Sequence, residues 1–159
     1  MTGKDLYEIK SNGSIAGEGA AMFIVNNEKQ DAAFEVKGIH MMHTGDPEEL
    51  KSQLKLFLEK HGNPDALLSG ENGDIRTQPF YDACESVLMP GTVKLHFKHF
   101  TGEQPTSIAI GLWLAGKFFE TGKIPSHFMK GSPAEKIIDT MLIYNSGKGE
   151  QHSFIFLQR

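Results

Sequence analysis

The residues able to do chemistry in this chain are few, and most lack a partner set. His96 and His99 lie three apart, and His40 and His43 flank Met41-Met42; such imidazole pairs first suggest a metal ion. On a strand, however, His96 and His99 face opposite sides and cannot share an ion unless the strand has ended. No third ligand is spaced to join either pair, so surface or hydrogen-bonded histidines are expected and no metal site. The single Cys84 lies within Tyr81-Asp-Ala-Cys-Glu85. A nucleophilic thiol needs a helix N-terminus or a neighbouring cation, whereas Asp82 and Glu85 act in the opposite sense, so a buried structural thiol is expected. One Cys also excludes an intramolecular disulfide and any multi-thiolate metal site. Gly70-Glu-Asn-Gly-Asp74 and Asn145-Ser-Gly-Lys-Gly149 look like anion-binding loops. Neither has the spacing of a phosphate loop, and Glu71, Asp74 and Glu150 would repel phosphate, so they read as tight turns. On composition and spacing alone the chain carries no complete catalytic set.

The elements that must position these residues follow from pattern. The first 18 residues, with Ser11-Asn-Gly-Ser14, read as a loop. Ala20-Ala-Met-Phe-Ile-Val25 reads as a buried strand between Gly19 and the Asn26-Asn27 turn signal. After the turn Glu28-Lys-Gln-Asp31, Ala32 to Ile39 alternates as a second strand, with Phe34 and Val36 on one face and a hairpin as the natural pairing. Asp46-Pro-Glu-Glu49 opens a helix: Asp46 caps, Pro47 suits the first helical position, and the acids favour the positive end. Leu50, Leu54, Phe57 and Leu58 form its apolar stripe, and His61-Gly62 ends it. Ala66 to Ser69 reads as a short strand, Gln78 to Leu88 as a helix stopped by Pro90-Gly91, and Val93 to His96 as a half-buried strand. Thr106 to Gly122 is apolar on every side of a helix, with no charge before Lys117, and must be covered all round. Met141 to Tyr144 and Ser153 to Leu157 read as strands joined by Asn145 to His152. The order β-β-α-β-α-β-α-β-β predicts helices packed on a mixed sheet, with Gly70 to Thr77 and Phe97 to Thr106 as strand-to-helix loops where such sheets bind ligands.

Composition narrows the classes of function. The 159 residues suit one domain over 1–159. Sixteen basic against 20 acidic residues leave a net charge of −4, which argues against a nucleic-acid partner. Eleven Phe and 23% charged residues are compatible with a packed core rather than disorder. No apolar run approaches the roughly 20 residues of a membrane span, and the N-terminus has no signal-peptide pattern. A soluble, cytoplasmic globular chain without a membrane partner is expected.

The ordered motifs resemble one family, the β-ketoacyl-acyl-carrier-protein synthases of the thiolase-like fold. Tyr7-Glu-Ile-Lys-Ser-Asn-Gly-Ser-Ile-Ala-Gly-Glu-Gly-Ala20 is similar to the family's Phe-Asp-x-x-Arg-Asp-Gly-Phe-Val-x-Gly-Glu-Gly-Ala, with Gly13, Gly17, Glu18, Gly19 and Ala20 identical. Asp82-Ala-Cys-Glu85 resembles the Asp-x-x-Glu that follows the family's first catalytic His. Lys98-His-Phe-Thr-Gly-Glu103 resembles Lys-x-x-Thr-Gly-His, and Asn145-Ser146 with the glycines after it resembles Asn-Ser-Phe-Gly-Phe-Gly-Gly. The resemblance runs in order over residues 7–159. It implies the C-terminal half of the fold, a five-stranded mixed sheet with helices on both faces.

The departures bear on mechanism. The resemblance implies acyl transfer to a Cys from the other half of the fold. Two His then stabilise the enolate formed by malonyl decarboxylation. Here the second His is replaced by Glu103. Counting back eight from Asp82 puts Asp74 at the first His position, or Glu71 or Asn72 with a gap. A carboxylate repels an incoming enolate unless it is protonated. Lys98 is retained and, by resemblance, lies at the site and is tied to Glu85, so a structural Lys98–Glu85 ion pair is expected, with Asp82 and Glu85 in that network. Lys98, Glu103 and Asp74 thus mark the family's catalytic positions, and Asn145, Ser146 and Gly147 its substrate-binding loop, which here lacks both Phe. The resemblance calls for no cofactor. It implies as partners an acyl carrier protein or acyl thioester and an N-terminal synthase half or synthase subunit. The last helix, half covered by its own sheet, implies a homodimer, unless the C-terminal strand or the Pro125–Ala134 segment folds over it.

Overall fold

The computed structural model describes residues 3–8, 11–28, 32–131 and 136–159. Its core is a five-stranded mixed sheet in the order β1-β5-β4-β2-β3, formed by β1 (Glu35–His43), β2 (Ala66–Ser69), β3 (Val93–His96), β4 (Thr140–Gly147) and β5 (Gln151–Gln158). β2 runs parallel to both β3 and β4, whereas β5 is antiparallel to β4 and β1. Helices α2 (Pro47–His61) and α3 (Gln78–Ser86) cover one face and α5 (Ser107–Thr121) the other. The short helices α1 (Gly3–Glu8) and α4 (Lys98–Thr101) and a 3-10 turn at Ser126–Phe128 complete the structure. No helix among the described residues is long and apolar enough to cross a membrane.

Local chemistry explains the elements that match expectation. Asp46 accepts a hydrogen bond from the Glu48 amide and Gly62 closes α2 on the Leu58 carbonyl, so the helix begins and ends where its capping residues stand. Its stripe, Leu50, Leu54, Phe57 and Leu58, packs on Leu67, Leu142 and Phe156. Each such side chain contributes roughly 1.5–3 kcal/mol by leaving water. β2 is buried along its whole length and apolar from Ala66 to Leu68 because both its faces are covered: Leu67 points to α2 and α3, and Ala66 and Leu68 to the α5 side. Cys84 is fully buried, and burial pushes its thiol well above its ordinary value.

Six expectations require correction. The first 18 residues are not all loop, because Gly3–Glu8 is helical and held by tertiary contacts, with Leu6 buried. Ala20–Val25 joins no sheet; Met22, Ile24 and Val25 are almost wholly exposed. Its expected hairpin partner instead starts at Glu35, runs on through Met41-Met42, and pairs with β5. Strand formation needs a ladder partner, and here a long-range one outcompetes the adjacent run. A register irregularity between Val36 and Gly38 also leaves Val36 on the exposed side rather than with Phe34. Asn145, Ser146 and Gly147 lie in β4, not in a loop, and the hairpin connection is only residues 148–150, with Lys148 and Gly149 both at positive φ. Finally, α3 ends at Ser86, two residues short of Leu88.

Of the expected turn Glu28–Asp31, residues 29–31 lie outside the described residues, as do Ile9 and Lys10 of the first motif. Of the Pro125–Ala134 segment, residues 132–134 lie outside them too, but Phe128 packs on Phe118 at 5.3 Å and covers one end of α5.

Candidate functional site

β2 and β3 are parallel neighbours, so the loops leaving their carboxyl ends meet, at the position where such sheets place ligands. The loop after β3 is tightened by α4, a single turn that ends at Gly102 with φ 65°. That turn directs Lys98 inward, where it is 1% exposed. Its ammonium donates to Glu103 Oε1 at 2.6 Å and to the Oγ of Ser107, the first residue of α5, at 2.7 Å. Burial pulls the Lys98 ammonium down from its ordinary value, and Glu103 beside it pulls the other way. From the loop after β2, Asn72 Nδ2 donates to the other Glu103 oxygen at 2.7 Å. Asn72 is itself held by Thr77 Oγ and by the Asp74 amide, which both donate to its Oδ1 at 3.1 Å. Charge and hydrogen bonds around Glu103 are therefore satisfied by Lys98 and Asn72.

The chain before β1 closes over this network. The Gly17 amide donates to the Glu103 carbonyl at 3.0 Å and the Glu103 amide to the Ile15 carbonyl at 2.7 Å. Thr106 Oγ donates to the Gly19 carbonyl at 2.9 Å. Gly17 and Gly102 cross back to back: a Cβ on Gly17 would stand 1.9 Å from the Thr101 carbonyl oxygen. From the sheet side, β4 brings Asn145 against Gly70, whose amide donates to the Tyr144 carbonyl. Tyr81 Oη donates to the Gly70 carbonyl at 2.7 Å and accepts from the Ser146 amide.

The structure thus assembles Lys98 and Glu103 but leaves other quoted residues elsewhere. Asp74 commits its carboxylate to the Arg76 guanidinium, which holds it at about 2; it is Asn72 that reaches Glu103. The expected Lys98–Glu85 pair does not form. Glu85 is bound by Lys94 Nζ at 2.9 Å and Lys130 Nζ at 2.7 Å. Lys94 lies on β3 itself, beside the end of α3, whereas Lys98 follows the strand end and is rotated away by the α4 turn. Asp82 is exposed on α3 and accepts from Gln78, outside any network with Glu85.

The four quoted histidines do not converge. His40 stacks on Phe154 and His43 lies exposed near Glu150. β3 ends at His96, and His99 sits in α4 facing Tyr7 and His127; burial, with His127 and His96, lowers it to about 4. Sequence reasoning missed Ser107, whose only signal is its place at the start of an apolar helix. It missed too the cluster of Glu71, Glu85, His96 and Lys130, whose members are far apart in the chain. Burial raises the Glu71 carboxyl, but His96 and Lys130 outweigh it and hold it at about 2.

No protein-family model matches the sequence, and no curated protein does. Solved structures do match in fold. AntDE:AntF, a type II PKS acyl-carrier protein in complex with its ketosynthase bound to the hexaketide, aligns with a TM-score of 0.64 at 15% identity, over 79% of this chain and 38% of that one. An oxazolomycin ketosynthase domain of Streptomyces albus aligns at 0.61 with 14% identity, over 79% of this chain and 44% of that one. A β-ketoacyl synthase from Burkholderia phymatum gives 0.56 and 12%, over 80% and 38%. The chain spans less than half the length of each. What it shares with them is the five-stranded mixed sheet with helices on both faces, and the chain therefore has the fold of one half of a thiolase-like ketosynthase.

Proposed function

We propose that residues 1–159 act as a ketosynthase-like C-terminal half in the assembly of carrier-bound acyl chains, of fatty-acid or polyketide type, without performing the condensation. The observation that carries this reading is the closed Lys98–Glu103–Asn72 network. It stands where the resemblance puts the second imidazole and presents an ion-paired carboxylate, not a neutral donor, to an incoming enolate. The same observation favours a role like that of a chain-length factor, a non-catalytic partner that shapes the acyl site of an active synthase. An acyl carrier protein as partner is supported by the ketosynthase–carrier complex among the similar folds. An N-terminal half or synthase subunit as partner is supported by the share of those structures that the chain spans.

The purified chain, mixed with acyl- and malonyl-carrier protein, is expected to form no β-ketoacyl product and to release no CO2 above a protein-free control. Turnover would overturn the non-catalytic reading, since the family's reactive groups act as a unit. Titration with acyl-carrier protein, followed by sedimentation, should show a complex; none at tens of micromolar would remove the partner assignment.

The free face of α5 supports self-association. Trp113 is 44% exposed, Ile110 and Leu112 are half-buried, and Ala20 to Met22 lie beside Ile110 and Trp113. A two-fold dimer buries such a face on both copies at once. Sedimentation at micromolar concentration should therefore give twice 17.6 kDa, and Trp113→Glu should return a folded monomer. A monomeric wild-type chain would refute the dimer.

A further inference from the structure

A second buried cluster, which the acyl-assembly reading does not use, lies where the β2 loop, the end of α3 and β3 converge. One ligand atom each from Glu71, Glu85 and His96 falls within 4.8 Å of the others. We propose that these three side chains bind a single divalent transition-metal ion, Zn2+ by preference over Mg2+ or Ca2+, at a position that the Lys130 ammonium fills when no metal is bound.

Three observations support the assignment. First, His96 is 6% exposed and its Nε2 is buried 3.2 Å from Glu71 Oε2, yet it makes no hydrogen bond among the described residues. The buried ring nitrogen faces the Glu71 carboxylate without hydrogen-bond geometry, which leaves it poorly satisfied, and a metal–nitrogen bond satisfies it. Second, Lys130 Nζ bridges Glu71 Oε2 at 2.9 Å and Glu85 Oε1 at 2.7 Å, so a cation already occupies the space between the carboxylates. The Lys130 amide is fixed to the Lys94 carbonyl, but a third of its side chain is exposed, which lets the ammonium swing into solvent. Third, Lys94 takes Glu85 Oε2 and leaves Oε1 directed at the cluster. One imidazole with two carboxylates suits Zn2+ or Co2+ better than the hard cations, which prefer oxygen alone. Tetrahedral zinc holds its ligands about 3.4 Å apart at bonds of about 2.1 Å, so the three side chains must close in by no more than about 1.5 Å. Water takes the fourth position. Exchange of Lys130 for a dication changes the cluster's charge by only one unit.

The test uses the full chain stripped with EDTA and titrated with ZnCl2 in a calorimeter at pH 7.5, with Co2+ absorption reporting the ligand field. One equivalent of Zn2+ is expected, with a rise in melting temperature. Lys130→Met should bind at least tenfold more tightly, because the internal competitor is gone and all three ligands remain. Glu71→Gln and His96→Ala should each lose at least a hundredfold; should either fail to fold, Lys130→Met decides. Failure of both wild type and Lys130→Met to bind one equivalent would overturn the site. So would unchanged affinity in Lys130→Met, or binding that survives in folded Glu71→Gln or His96→Ala.

Discussion

Lys98→Met is expected to lower the stability of the chain by about 3 kcal/mol, because it leaves Glu103 and Ser107 facing an apolar side chain inside the protein. The figure sits at the low end for a broken buried pair because Glu103 is 30% exposed and keeps some water. For a chain of this length, with about 2–4 °C per kcal/mol, the melting temperature should fall by about 6–12 °C. Lys98→Met/Glu103→Gln should recover part of the loss, since no uncompensated carboxylate remains. A double-mutant cycle between Lys98 and Glu85 should show almost no coupling, because Glu85 is bound to Lys94 and Lys130 instead. An unchanged melting temperature in Lys98→Met would mean that the network is solvated. Strong Lys98–Glu85 coupling would restore the pairing that the structure replaces.

Gly17→Ala is expected to detach the segment 11–19 from the site. The new methyl would meet the Thr101 carbonyl oxygen at 1.9 Å and the Gly102 Cα at 2.7 Å, and both are backbone atoms that cannot rotate away. Overpacking of a well-packed site typically costs about 1–3 kcal/mol, and a backbone-to-backbone clash belongs at the upper end. The chain can escape by releasing the Gly17–Glu103 and Glu103–Ile15 hydrogen bonds. The expected result is therefore a fall in melting temperature of several degrees together with new proteolytic cleavage between Ser11 and Gly19. Gly45→Ala has open space around its Cβ and no positive φ, and serves as the neutral control. Resistance of Gly17→Ala to cleavage, with an unchanged melting curve, would show that the crossing is loose.

Much of the fold was readable because its signals are local. Asp46, Pro47 and Gly62 bound α2, the stripe from Leu50 to Leu58 turns its face inward, and the apolar run of α5 ends at Gly122 in the left-handed region. Gly17 and Gly102, conspicuous as motif residues, prove to be where two backbones cross. Lys98 and Glu103, taken separately from one motif, do meet.

What the residues by themselves determined was therefore the three long helices α2, α3 and α5, four of the five strands nearly in place, the fold class and the loops that carry the site, but not the short helices α1 and α4. Partner choice was decided only by the tertiary structure. Ala20–Val25 has every local mark of a strand and forms none, because β1 finds its ladder on β5, more than a hundred residues away. Glu85 binds Lys94 and Lys130 rather than Lys98, Asn72 rather than Asp74 reaches Glu103, and His96 closes on Glu71 across the ends of two parallel strands. Caps, stripes and turns act within a few residues of chain and leave their mark in sequence spacing. An ion pair or a strand ladder selects among all groups that folding brings within a few ångströms, and that selection exists only once the chain is folded.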